Sequence, residues 1–506
     1  MNSILKHFLT FGGFTLLSRI FGFIRDALIT HFLGKSVWCD LFIIAYKSTN
    51  WVRRFFAEGA MNVSLIPELV KRQNDPEKFA KLLQNTFSLI LFGLGFFVII
   101  LEIFVPIITP LMVTKYQGVE LAHLIRLLQI NLPYALLISL CAICNAFLNI
   151  HHKFYAESSL PIILNLSVIA SVLLFRNSDG QTITFGMSWG VIIAGIIQFS
   201  WLYGLCKKNH FTFRIQMPQF QSEETALIVK RTSRNSLISF ANQINLFVDL
   251  YLATLLPAGA VTLLHTADRL NQFPLSIIGV ALSVVLLPNF SKIIDNAKET
   301  KILFHNAIIG ALQLALPITF LLILLADPLF YILYYHGKFT LMDTLQASRT
   351  LQCYAFGIPF VIVSKIFLSF LFARNASKIA LYAAMGSVAI NIMMSISLMP
   401  FVGHYGIAMA TAIAAFFNCL ILMIYTYVDF PQLFETVKDI FTLILWSAFT
   451  FIMIFIGKKA FFSPLYSSRF ENFQLVLAIT TLFLLLYYGV GYFFKFIQMP
   501  SQISKK

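Results

Sequence analysis

Apolar segments of about 20 residues recur along the whole chain, separated by short polar loops. Wound into a helix, a segment of that length crosses the roughly 30 Å hydrocarbon core of a bilayer. About fourteen such segments can be counted, with centres near residues 22, 50, 97, 135, 166, 194, 245, 280, 320, 360, 388, 415, 446 and 483. The pattern predicts an all-α polytopic membrane protein with about 14 transmembrane helices.

The composition agrees with that prediction. Of the 506 residues, 58% are hydrophobic and 12% are charged, and the net charge is +15. The basic residues lie mainly in short loops on the side of the N-terminus, as the positive-inside rule requires of cytoplasmic loops. The charge therefore gives no reason to expect a nucleic-acid partner. It predicts that both termini lie in the cytoplasm.

A polar stretch divides the chain into two sets of six helices. The predicted organisation is an N-terminal lobe over 1–206, a cytoplasmic linker over 207–234, a C-terminal lobe over 235–430, and two further helices with a short tail over 431–506. Two segments, 58–71 and 278–292, share a glycine, an apolar run, a proline and a basic end. Generic helix-end composition can also give that likeness. Six-helix repeats facing a central cavity are a common transporter plan.

Charged residues interrupt the first predicted helix. Arg19 and Arg25 lie in the run S-R-I-F-G-F-I-R-D, with apolar sequence on both sides. A charge at the centre of a bilayer costs roughly 2.5–3.5 kcal/mol on insertion scales. At helical spacing, Thr15, Arg19, Gly22 and Asp26 share a face, and Arg25 lies beside it. This face predicts a cationic, water-filled cavity that receives an anion.

The second predicted helix continues the theme in the run N-W-V-R-R-F-F-A-E-G-A. One helical face carries Asn50, either Arg53 or Arg54, and Glu58, and the stripe extends outward through Lys47 and Asp40. The alternative is that these groups are interface anchors, because arginine can extend to the headgroups. That alternative suits one arginine of the adjacent pair. It does not suit the arginines of the first helix.

Polar residues are sparser in the second half. In the eighth predicted helix, His265, Arg269 and Gln272 line a face beside Asp268. Arg269 then faces the same cavity as the first-helix arginines, or it forms a self-neutralising ion pair with Asp268. The sequence leaves both open.

A second polar set combines one carboxylate with neutral oxygens. It consists of Asp249, Asn391, Ser395 and Thr411. Such ligands suit a weakly held alkali cation. Small polar residues also form hydrogen bonds between membrane helices, and that alternative stays open.

Four intramembrane guanidinium groups with few carboxylates suit a phosphate or diphosphate, which arginine binds through two parallel, charge-assisted hydrogen bonds. The sequence contains no spacing typical of a nucleophilic or metal-dependent enzyme. Cys141 and Cys144 have no second pair or histidine cluster to complete a metal site. The chain is therefore predicted to be a transporter without a cofactor, apart from the weakly held alkali cation that the second polar set would bind.

Several runs carry a family resemblance. The segments T-L-L-S-R-I-F-G-F-I-R-D-A-L, N-x-x-R-R-x-F-A-E-G-A, Q-I-N-L-F-V-D, A-D-R-L-N-Q-F-P-L-S-I-I-G-V-A and G-K-F-T-L-M-D-T resemble the MurJ (MviN) lipid II flippases. The resemblance covers essentially the whole chain. It implies the fold of the multidrug/oligosaccharidyl-lipid/polysaccharide exporter superfamily (MATE-like), the bacterial inner membrane, and a role in peptidoglycan synthesis.

The resemblance implies that the substrate is lipid II, an undecaprenyl diphosphate that carries a disaccharide-pentapeptide. By similarity, the last two helices form a groove for its polyprenyl tail. The family's substrate-binding positions correspond here to Ser18, Arg19, Arg25, Asp26, Asp40, Asn50, Arg53, Glu58, Asn165 and Arg269.

The resemblance also implies a sodium site on Asp249, Asn391, Ser395 and Thr411, with a backbone carbonyl near Ile407. Some members carry an acidic residue where this chain has Ser395, so the site is expected to bind its cation weakly. The family usually has proline where this chain has Thr49, so the second helix is expected to kink less there.

The resulting hypothesis is alternating access driven by membrane potential or an ion gradient. The headgroup enters from the cytoplasmic leaflet beside the first and eighth helices, and arginines hold its diphosphate. Other expected partners are membrane lipids and the cell-wall synthesis machinery, and the protein is expected to be a monomer. Two alternatives are an exporter of another polyprenyl-diphosphate glycan and a cation-coupled drug antiporter.

Overall fold

The structure is a computed structural model that describes residues 3–56, 60–151, 153, 155–217, 244–374, 376–431, 437–461 and 468–493. The chain divides into two compact units, Met1–Thr262 and Leu263–Lys506. The predicted linker over 207–234 lies largely outside the described residues, so the predicted domain boundaries stay a prediction.

The first unit contains ten helices among its described residues, with a π-helical turn Ile90–Leu94 between the fourth and fifth. They are α1 (Ser3–Leu33), α2 (Val37–Phe56), α3 (Ala60–Lys71), α4 (Pro76–Leu89), α5 (Gly95–Met112), α6 (Val119–Asn131), α7 (Pro133–Ile150), α8 (Tyr155–Leu174), α9 (Gly180–Lys208) and α10 (Ile244–Thr254). Helix α8 packs against α1 and α9, and α2 packs against α6.

Helix α11 (Ala260–Ile293) begins at the end of the first unit. The second unit then contains α12 (Ala297–Tyr334), α13 (Leu341–Ala355), α14 (Ile358–Ala373), α15 (Ser377–Val402), α16 (His404–Asp429), α17 (Val437–Phe461), α18 (Arg469–Leu484), a π-helical turn (Leu485–Val490) and α19 (Gly491–Phe493). Helix α15 packs along α16, and α12 packs against α13, α14, α17 and α18.

The apolar pattern predicted the helices well. All fourteen predicted centres fall inside described helices. Eleven continuous helical segments of the described residues are long and apolar enough to cross a membrane, which confirms an all-helical, multi-pass architecture. Three of these segments join two helices each, namely α4 with α5, α6 with α7, and α13 with α14. Helices α1, α2, α3 and α10 are not part of any of the eleven. The count of 14 spans therefore stays a prediction.

Local capping chemistry decides where several helices begin. The Thr340 hydroxyl accepts from the Asp343 N–H, while the Asp343 carboxylate accepts from the Thr340 N–H, which together form a capping box at the start of α13. The run G-K-F-T-L-M-D-T is therefore a helix start. Gly403, at φ +59°, joins α15 to α16 in a conformation that other residues rarely adopt.

A cluster of phenylalanines fills the core of the second unit. Phe304 contacts Phe367 and Phe370 edge to face, with ring centroids 5.4 and 5.5 Å apart, and Phe290 contacts Phe370 in the same way at 5.7 Å. Edge-to-face pairs add roughly 0.5–1.5 kcal/mol each beyond the area they bury. Part of the phenylalanine content thus stabilises helix packing inside this unit.

Candidate functional site

Arg25 is the centre of a buried polar network where α1, α2 and α8 meet. Only 3% of Arg25 is exposed. Its Nε and Nη2 donate to Asp26 Oδ1, at 2.9 and 2.7 Å. Its Nη1 donates to the Tyr46 hydroxyl at 3.1 Å and to Asn165 Oδ1 at 3.0 Å. The guanidinium therefore holds three helices together and is neutralised by its neighbour along the chain.

Asn165 extends the network back to α1. Its Nδ2 donates to the backbone carbonyl of Ser18 at 3.0 Å. A Cβ added at Gly22 would lie 3.4 Å from that Nδ2. Gly22, one turn before Asp26, therefore allows α8 to approach α1 closely. The sequence placed Gly22 on a cavity face, whereas the structure makes it a packing position.

Asn165 offers a direct test of this network. Asn165→Ala removes the acceptor for Arg25 and the donor to Ser18, so the free energy of unfolding should fall by about 1–3 kcal/mol. We expect weaker transport and a lower thermal unfolding temperature. Leu166→Ala, at an exposed neighbouring position of α8, is the matched control. Parental stability in Asn165→Ala would show that the network does not stabilise the fold.

Asp40 forms a second buried network at the start of α2. Asp40 is fully buried. Its Oδ1 accepts from the backbone N–H and the hydroxyl of Thr262, at 2.8 and 2.6 Å, and its Oδ2 accepts from the backbone N–H of Gly259. The Tyr116 hydroxyl donates to Oδ2 at 3.4 Å. Asp40 thus caps the N-terminus of α11, where exposed N–H groups and the helix dipole favour an anion.

Neighbouring residues tune this cap. Tyr116 lies between α5 and α6, and burial together with the nearby Asp40 carboxylate raises its pKa above the usual range, so the phenol stays protonated and can donate. Gly259 has φ +91°, and a Cβ there would clash with Lys35. The chain can therefore place this N–H against the carboxylate only with glycine at 259.

Of the other predicted substrate-binding residues, Asn50, Arg19 and Arg269 lie on α2, α1 and α11. Asn50 is half-buried and donates from Nδ2 to the Tyr46 carbonyl at 2.9 Å. Arg19 is half-buried on α1, and Arg269 is half-buried on α11 in the second unit. Glu58 and the side chain of Arg53 lie outside the described residues.

Sequence reasoning missed Tyr46, Tyr116 and Thr262. A signal existed for Tyr46, which lies one turn before Asn50 on the same face of α2. Local sequence gives no comparable signal for Thr262, because its partner Asp40 lies 222 positions away.

The predicted sodium ligands divide between the two units. Asp249 is half-buried on α10 in the first unit, while Asn391, Ser395 and Thr411 belong to the second. Asn391 and Ser395 are fully buried one turn apart on α15. The Ser395 hydroxyl has no hydrogen-bond partner among the described residues, and Thr411 donates to the Ile407 carbonyl at 3.0 Å. A buried, unpartnered oxygen fits a weak alkali-ion ligand.

An all-helical fold with many apolar spans and a buried arginine network defines a multi-pass membrane protein. Solved structures share this fold. The chain aligns with a structure titled "Lipid II flippase MurJ, inward closed conformation" at TM-score 0.78 and 23% identity, covering 94% of this chain and 98% of that one. It also aligns with an inward-facing multidrug resistance MATE family transporter of the MOP superfamily at TM-score 0.69 and 12% identity, covering 85% and 99%.

Sequence comparisons define the family. A family model described as lipid II flippase MurJ matches residues 29–480. A probable lipid II flippase MurJ of Buchnera aphidicola subsp. Schizaphis graminum is 34% identical over 431 residues, which is 83% of this chain and 82% of that protein. One from Rickettsia prowazekii is 33% identical over 432 residues, covering 84% and 83%. The chain belongs to the MurJ family of lipid II flippases.

Proposed function

We propose that this protein moves lipid II from the cytoplasmic to the periplasmic leaflet of the bacterial inner membrane by alternating access. The observation that carries the proposal is the family match over 29–480, together with relatives of similar length that bear this name. The protein acts as a transporter and not as an enzyme. We further propose that both termini are cytoplasmic, as the positive-inside bias predicts.

In the proposed substrate contact, the diphosphate of the substrate replaces the Asp26 carboxylate as the anion bound to Arg25. In the described conformation the Asp26 carboxylate accepts from two nitrogens of Arg25. An oxygen of a diphosphate can accept from the same two nitrogens, and the diphosphate carries more charge. An incoming headgroup could therefore replace Asp26 without leaving the buried guanidinium unpaired. Arg19 and Arg53 are proposed to contact the same diphosphate. We keep the sequence-based proposal that Arg269 also binds the diphosphate.

A leaflet assay tests the function. Bacteria depleted of their own flippase should accumulate lipid II on the cytoplasmic face, and expression of this chain should restore its exposure on the outer face. Exposure would be measured by labelling or cleavage from outside the cell. Membrane insertion of the chain without restored exposure would contradict the proposal. A parallel measurement of another polyprenyl-diphosphate glycan distinguishes the rival exporter.

The diphosphate assignment has its own test. Arg19→Ala, Arg53→Ala and Arg269→Ala, each checked for insertion, should fail to support growth of the depleted strain, because each removes a charge that the substrate offsets. The exposed Arg176→Ala serves as the control. Full complementation by all three variants would contradict the assignment.

We also propose that transport is coupled to sodium through Asp249, Asn391, Ser395 and Thr411. Asp249→Ala removes the single carboxylate of this set, so the sodium dependence of transport should be lost, whereas the exposed Asp295→Ala should keep it. Ser395→Asp should strengthen sodium binding by adding a second charge. The measurement is the initial rate of transport against sodium concentration. A parent protein without sodium dependence would remove the proposal.

A further inference from the structure

Helix α12 contains two prolines inside its length, Pro317 and Pro328. Proline has no N–H, so each leaves unbonded the carbonyl four residues earlier, which belongs to Gln313 and Leu324 respectively. In a membrane such a carbonyl must find another donor, because water is absent and an unsatisfied group is costly. The location of the replacement donors is therefore informative.

Both replacement donors come from the C-terminal helices. The Tyr488 hydroxyl, in the π-helical turn after α18, donates to the Gln313 carbonyl at 2.9 Å. The Lys458 Nζ, near the end of α17, donates to the Leu324 carbonyl. The Asp327 carboxylate, beside Pro328, interacts electrostatically with the same ammonium group. We call each proline of α12, together with the carbonyl that it leaves without a donor, a proline joint. At each joint the missing donor is thus supplied by a different C-terminal helix.

The two donors belong to one connected element. Trp446 of α17 donates from Nε1 to the Tyr487 carbonyl at 3.1 Å, and the Ser447 and Tyr487 hydroxyls lie 3.2 Å apart. These contacts tie α17 to the π-helical turn that carries Tyr488. A π-helical turn displaces side chains from the regular helical register and is frequent at functional positions.

The first unit contains a further proline joint, and there too a side chain of another helix supplies the missing donor. Pro106, inside α5, leaves the Glu102 carbonyl without its donor, and Gln129 of α6 donates to that carbonyl at 3.3 Å. There the donor comes from an adjacent helix of the same unit. At α12 the donors come from the helices that the sequence predicts as an addition to the twelve-helix plan.

We propose that Lys458 and Tyr488 are positioning residues that hold the two proline joints of α12, so that the C-terminal helix pair sets the conformation of α12 during transport. The C-terminal helix pair then takes part in the conformational change of transport, in addition to any surface that it offers to the lipid tail. This inference rests on the proposed function only where the rate of lipid II transport is measured.

The test is a set of matched double mutants in the full chain. Lys458→Met and Tyr488→Phe remove one donor each and keep most of the side-chain volume. Pro328→Ala and Pro317→Ala restore the N–H at each joint, which makes the external donor unnecessary. The exposed Lys378→Met and Tyr492→Phe are the controls. The measurements are thermal unfolding of the purified protein and the initial rate of lipid II translocation in vesicles.

We expect each donor variant to lower the unfolding temperature by about 2–4 °C, the shift from roughly one lost hydrogen bond in a unit of this size. Transport should fall about five-fold or more. Pro328→Ala should rescue Lys458→Met but not Tyr488→Phe, and Pro317→Ala should rescue only Tyr488→Phe. This crossed pattern of rescue identifies each donor with its own joint.

Equal defects with and without the matched proline replacement would overturn the proposal. So would rescue of stability with parental transport rates in every variant, because the contacts would then be structural only. If the parent protein moves no lipid II, the proposed function fails. The stability measurements would then still decide whether each donor serves its proline.

Discussion

Arg25→Ala should abolish transport and strongly destabilise the first unit. The substitution leaves the Asp26 carboxylate buried without the guanidinium that neutralises it, and it removes the shared donor to Tyr46 and Asn165. Breaking a buried ion pair from one side costs about 3–5 kcal/mol. The measurements are thermal unfolding of the purified protein, growth of a flippase-depleted strain, and exposure of lipid II on the outer leaflet.

Arg25→Lys tests whether the network needs only the positive charge of Arg25 or also the geometry of its guanidinium group. Lysine keeps the positive charge but cannot reproduce the planar arrangement of donors that reaches three partners at once. We expect partial stability and much-reduced transport. Arg176→Ala, on the exposed loop before α9, should behave like the parent. A stable, active Arg25→Ala protein would show that neither the fold nor the substrate depends on this network.

Asp40→Ala should have the second-largest effect. The substitution removes the acceptor of two backbone N–H groups and of the Thr262 and Tyr116 hydroxyls, at a position without access to water. Hydrogen bonds to a charged group are worth about 1.5–3 kcal/mol each, so we expect a loss of about 3 kcal/mol or more. Thermal unfolding and complementation of the depleted strain would measure it.

Two variants make this prediction specific. Asp40→Asn keeps one acceptor oxygen but presents an NH₂ group to another donor, so it should recover only part of the stability. Asp179→Ala is the matched control. Asp179 also caps a helix, α9, and hydrogen bonding to Thr182 lowers its pKa, but it is exposed. Its loss should matter much less. Equal effects at the two positions would contradict the importance of burial.

The sequence predicted the positions of the helices because that signal is local. An apolar run of sufficient length must satisfy its backbone internally, and the helix is the local way to do so. The same reasoning identified Arg19 and Arg25 as costly residues that need partners. It could not identify those partners. Asn165 lies 140 positions from Arg25, and no periodicity within either helix connects them.

Two residue roles show the limit most clearly. Asp40 looked like the outer end of a polar stripe, whereas the structure places it as the cap of α11, more than 200 positions later in the chain. No local sequence signal marks the role of Lys458. Lys458 donates to a carbonyl that Pro328 leaves without its N–H donor. Both roles depend on which backbone groups another helix leaves unsatisfied.

The sequence alone thus determined the helical class, the approximate helix positions, the costly arginines and the family resemblance. Each of these follows from composition, spacing or a contiguous run of residues. The tertiary structure decided which acceptors neutralise Arg25, which helix Asp40 caps, and which side chains complete the proline joints of α12. These pairings depend on how helices pack, and the packing brings together groups that are far apart in the sequence.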